Sequence, residues 1–125
     1  MSVRAIIAPE GDFGFRLARD ANGDLTIGNS STMDVSRFDM PRAAVQFFFG
    51  GGSTGSYTLQ GSIDGTNFVD IETTITADTV VNFGEQGVTP MRNHFWRLLR
   101  INTVAVGLAT DEITLGAYEY LGHGG

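Results

Sequence analysis

Three oxygen-bearing side chains, Asp20, Asn22 and Asp24, stand at alternate positions, the spacing that opens a calcium-binding loop. Such a loop needs a bidentate carboxylate at its twelfth residue, and Ser31 holds that place. Asn22-Gly23 suits the positive φ angles of a tight hairpin, so a turn is the favoured reading and no metal is expected. The two imidazoles, His94 and His123, sit neither in a ligand pair nor beside a nucleophile. There is no Gly-x-Ser-x-Gly elbow, and Gly50-Gly51-Gly52-Ser53-Thr54-Gly55 lacks the Lys of a phosphate-binding loop. Asp111-Glu112 reads as a turn ahead of the last strand. Cysteine is absent, which removes thiolate chemistry, disulfides and cysteine-held metals. Neither catalytic residues nor a cofactor is expected.

Arginines and aromatics remain as candidates for recognition. Side chains two apart in a strand share a face, so Arg97 groups with Phe95, Leu99 and Ile101, and Arg100 with Trp96 and Leu98. Pairing of each Arg with a carboxylate at a sheet margin is favoured over contact with a partner. Phe47-Phe48-Phe49 is the other unusual run. Adjacent rings point to opposite faces of a strand, so one large ring needs cover beyond a single core face. Either both sheets and a loop supply that cover, or a subunit interface does. Phe47, Phe48, Phe49, Arg97 and Arg100 are therefore the candidate interface. Tyr57, Trp96, Tyr118 and Tyr120 are the rings that a sugar would stack on in the alternative reading.

The elements that must position these residues are strands. The chain has 125 residues, of which 17 are Gly and none is Lys, and its hydrophobic fraction is 42%. One domain over residues 1–125 is the expectation, with too much apolar content for a disordered chain. No window carries the i, i+3, i+4, i+7 pattern of a helix. Short apolar runs punctuated by Gly, Asn, Asp and Ser predict about nine or ten strands. The expected segments are 3–8, 13–17, 25–27, 43–49, 57–63, 68–71, 80–83, 95–101 and 113–121. Residues 43–49 read as a central strand buried on both faces or nearly so. Residues 1–10 could form an arm that adds a strand to a neighbour, and 122–125 a frayed tail. An all-β, two-sheet antiparallel jelly-roll β-sandwich is the fold expected, its last strand pairing far from its sequence neighbours. The net charge of −6 argues against a nucleic-acid partner, and no apolar run reaches the length of a membrane span.

The run Ser56-Tyr57-Thr58-Leu59-Gln60-Gly61-Ser62-Ile63-Asp64-Gly65-Thr66-Asn67-Phe68-Val69-Asp70-Ile71, followed by Phe95-Trp96-Arg97-Leu98-Leu99-Arg100-Ile101, resembles discoidin-like, galactose-binding-type jelly rolls. The same hairpin is similar to one in small structural proteins of tailed bacteriophages. The resemblance covers roughly a third of the chain and implies a jelly roll more strongly than an activity. It suggests a non-enzymatic virion protein, a capsid decoration or cement protein that is assembled in the host cytoplasm. Its expected partners are the major capsid protein or other virion subunits and copies of itself, with a trimer favoured. A carbohydrate-binding module and a tail-fibre or baseplate subunit are the alternatives.

Overall fold

Alternation of apolar with polar residues and the frequent Thr, Val and Ile favour strands, and every extended element among the described residues is a strand. A computed structural model describes residues 3–7, 26–30, 32–40, 43–83 and 96–120, with side chains described except at 3–7 and 118–120. Nine segments form: β1 (Val3–Ile7), β2 (Gly28–Asn29), β3 (Met33–Asp34), β4 (Ala44–Phe48), β5 (Ser56–Ser62), β6 (Val69–Ile75), β7 (Thr79–Asn82), β8 (Leu98–Ala105) and β9 (Glu112–Tyr120). The first sheet runs β1-β9-β4-β7, and the second β2-β8-β5-β6 with β3 also on β8. Every pairing is antiparallel. Because β2 and β3 both lie against β8, they act as one interrupted strand. Two four-stranded sheets remain, with the first strand beside the last, which is the jelly roll. That makes eight working strands among the described residues, against the nine or ten expected for the whole chain.

The core lies between the sheets. Val45, Phe47, Val81, Ile113 and Leu115 face Tyr57, Leu59, Ile71, Ile75, Leu99 and Ile101. Rings of Phe47 and Tyr57 meet across it with centroids 6.4 Å apart.

Several expectations need correction. Although central, β4 buries one face only: Val45 and Phe47 point inward while Gln46 and Phe48 are exposed. Rather than reaching for a neighbour, residues 3–7 pair along their whole length with β9 of the same chain. The strand expected at 95–101 begins at Leu98 and extends to Ala105. Arg97 instead forms a bend, its N–H donating to Ser62 O and its carbonyl accepting from Val35 N, each at 2.9 Å. The segments at 13–17 and 122–125, Leu25, the Asp20–Asn22–Asp24 turn, Phe95 and both histidines lie outside the described residues.

The glycine run after β4 is held rather than loose. Asp111, nearly buried, accepts from Gly50 N at 2.8 Å, from Ser53 Oγ at 2.7 Å and from Tyr57 OH at 2.7 Å. This one carboxylate ties the β4–β5 loop and the core tyrosine to the start of β9. Burial pushes its pKa up, but these donors and the Leu108 N–H outweigh that and hold it below the ordinary 3.8. At the opposite end, Asp64 caps the β5–β6 turn by accepting from Asn67 N at 2.7 Å, Thr66 N at 2.8 Å, Asn67 Nδ2 at 2.8 Å and Ser62 Oγ at 3.0 Å. Gly65 follows with φ +85°, a conformation that favours glycine.

Replacing Asp111 with Ala strands its donors at the mouth of the core. We expect a loss of about 3 kcal/mol in urea unfolding, with Asp111→Asn losing less because one acceptor oxygen survives. Hydrogen bonds from Ser36 lower the Asp34 pKa, and those from Asn67, Thr66 and Ser62 lower that of Asp64 strongly. Carboxylates whose folded pKa is depressed stabilise the fold fully above their unfolded value of 3.8 and lose that contribution as pH falls through the folded values. The urea midpoint should therefore hold steady between about pH 7 and pH 5 and fall below about pH 4.

Candidate functional site

Among the described residues, two features could engage a partner: exposed apolar side chains on the outer sheet faces, and a groove under the β5–β6 hairpin. On the outer face of the first sheet, Gln46 of β4 lies opposite Val80 of β7, which puts Phe48 diagonally beside Val80. Phe48 is 48% exposed and Val80 59%. Asp78 adjoins them and accepts from Phe49 N at 2.8 Å, fixing the end of β4. On the outer face of the second sheet, Gly28 pairs with Thr103, and continuing that register places Ile27 opposite Val104. Both are exposed.

The groove has a volume of about 460 Å³ and is lined by Gly61, Ile63, Val69 and Trp96, with Asp64, Asn67 and Asp70 at its polar margin. Its floor depends on a missing side chain. A Cβ on Gly61 would come within 2.6 Å of Trp96 Cε3 and 2.8 Å of Ile71 Cδ1, so the indole can lie over β5 only because residue 61 is glycine.

The residues singled out by sequence do not converge. Phe47 is a core residue, and the strand's own alternation puts it there, so it cannot contribute to an interface. Phe49 is half-buried against Tyr57, with ring centroids 5.6 Å apart. Of the triplet, Phe48 alone presents an exposed ring. Tyr57 is fully buried with its hydroxyl on Asp111, and Trp96 is 5% exposed, so neither offers an open face to a sugar. Backbone at Tyr118 and Tyr120 lies in β9 and pairs with β1; their side chains lie outside the described residues.

The arginines part company. Arg100 lies on the outer face of β8, as alternation requires, but its partner is not a carboxylate. Its Nε donates to Gln60 Oε1 at 2.7 Å, and its guanidinium lies 3.9 Å from the centroid of the Phe68 ring. Gln60 in turn donates to Asp70 Oδ1 at 2.7 Å. Arg97 is exposed instead of sharing the inward face with Leu99 and Ile101. The bend at residue 97 breaks the alternation, and the side chain lies against the hairpin tip, 3.5 Å from Asp64 O.

Sequence reasoning passed over Val80, Val104, Ile27 and the groove margin. Exposed valines in a short strand look like core until their neighbours are known; the signal was there for Gly61, which precedes the turn in an otherwise apolar alternation. Among the described residues, no three His, Asp or Glu side chains gather as a metal set. The chain matches no family model, no curated protein and no solved structure.

Gly61→Ala should force the indole of Trp96, the only tryptophan, off its bed. A stability loss of about 1–3 kcal/mol is expected, with a red shift in tryptophan emission. Unchanged emission would mean that the ring does not rest on residue 61.

Proposed function

We propose that this chain is a non-enzymatic assembly protein, a head-decoration or cement protein of a tailed bacteriophage that binds the capsid lattice and stabilises it. The observation that carries this reading is the pairing of exposed apolar side chains on both outer faces of the sandwich, Phe48 with Val80 and Ile27 with Val104. Single exposed apolar residues are ordinary, but adjacent ones on opposite faces suit a domain with neighbours on two sides. Three described carboxylates, Asp34, Asp64 and Asp111, are engaged in holding loops rather than grouped around a reacting centre. The hairpin at residues 56–71 adds the resemblance to phage structural domains. Such a protein would act by burying surface across neighbouring subunits and so raising the free energy of lattice opening. Its place would be the virion, on the major capsid protein; a tail-fibre or baseplate position would use the same faces on another lattice.

The carbohydrate-binding alternative is weakened by the burial of Tyr57 and Trp96, since sugars stack on open rings. Among the described residues, the groove beside Trp96 still favours it.

The test is a phage particle assembled with and without this chain. Particles that lack it should release DNA at a lower temperature, and adding the purified protein should restore resistance at saturating occupancy. Particles equally resistant in both states, with no protein bound to the heads, would reject the reading.

A further inference from the structure

Sheet edges expose unpaired backbone groups, and both edges of the second sheet are blunted. The edge at β2 and β3 is broken into two pieces of two residues each. Along β6, the register with β5 shifts twice, Asp70 and Glu72 add charge, and Thr74 has φ +53°. By contrast, β7 pairs with β4 in unbroken register, and Thr79–Asn82 contains no charged residue. It closes the first sheet among the described residues.

Which backbone groups of β7 point outward follows from one hydrogen bond. Phe83 N donates to Ala43 O at 3.0 Å, and these residues fall directly opposite each other when the β4–β7 register is continued. A directly opposed pair that exchanges backbone bonds alternates along an antiparallel ladder with pairs that do not. Val81 and Thr79 therefore bond to β4, and the N–H and C=O of Val80 point away from the sheet. Its side chain stands on the outer face at 59% exposure.

We propose that β7 pairs with β7 of a second copy of this chain, antiparallel about a two-fold axis at Val80, joining the two first sheets into one. Residues that face each other across a ladder share a face, so a two-fold at Val80 opposes Val80 to itself, Thr79 to Val81 and Asp78 to Asn82. No two charges oppose each other in that register, although each chain carries −6 overall. The two Val80 residues exchange a reciprocal pair of backbone hydrogen bonds. On the outer face, the two Val80 side chains meet at the axis, each with Gln46 beside it and Phe48 diagonal to it. The pair is two-fold and not the trimer expected from sequence, because an edge meeting its own copy closes after two.

The pairing rests on the reading of the chain as an assembly subunit, but its test needs no particle. Light scattering on the isolated chain should give twice the 13.4 kDa of one copy, with the pair tightening as salt screens the net charge. Val80→Lys, which sets two ammonium groups face to face at the axis, should give the single-copy mass. Val80→Pro, which removes only an outward-pointing N–H, should do the same. Val104→Lys, on the other sheet, should leave the pair intact. Each variant is checked for folding by Trp96 emission and far-ultraviolet circular dichroism. A wild-type chain of single mass at millimolar concentration, a triple mass, or a folded Val80→Lys variant that still pairs would overturn the proposal. A chain of single mass that still protects particles defeats the pairing alone. A paired chain that protects none defeats the lattice reading alone.

Discussion

A buried carboxylate must be surrounded by donors or it drives the structure apart, and Asp111 meets that demand with groups that no short segment could supply. Its partners Gly50, Ser53 and Tyr57 precede it by more than fifty positions. By accepting from all three it fixes the β4–β5 loop, the depth of Tyr57 in the core and the point at which β9 begins. Tyr57 then bridges the sheets, touching Phe47 on one side and Phe49 on the other. The outer-face position of Phe48 follows, since its two neighbours in sequence are both held against the tyrosine.

Local chemistry was legible in the sequence, and distant chemistry was not. The turn at Asp64-Gly65-Thr66-Asn67 announces itself because every bond that makes it lies within a few residues. Strand positions came close for the same reason, as alternation is a short-range signal. Tyr57 read as a ring for a ligand because its partner, Asp111, lies 54 positions away ahead of β9. Phe47, Phe48 and Phe49 are alike as residues and differ only in what the fold places against each. Arg97 left its expected face because backbone bonds to Ser62 and Val35 bend the chain there, and neither partner is near in sequence. β3, at two residues, has no period to detect.

The two ends of the sandwich are closed by different physics. Around Asp111 the closure is polar and depends on a charge being satisfied. At the β5–β6 hairpin the Asp64 cap is joined by a matter of shape, with Trp96 laid over a residue without a side chain. Both ends weaken in acid, as Asp111 at one and Asp64 at the other are protonated, but the β5–β6 end is in addition intolerant of a methyl group at residue 61. The groove lies at the β5–β6 end, while Phe48 and Asp78 lie at the Asp111 end.

The position of β9 bears on how the protein is made. It sits between β1 and β4, so until it emerges from the ribosome the first sheet is two unconnected fragments and Tyr57 has no acceptor. Early strands must wait as an open half-shell while the rest is translated, a window in which sticky edges invite misassembly and chaperones have most to do. Synthesis and folding are thus nearly sequential here, and the fold snaps shut from its carboxy-terminal side.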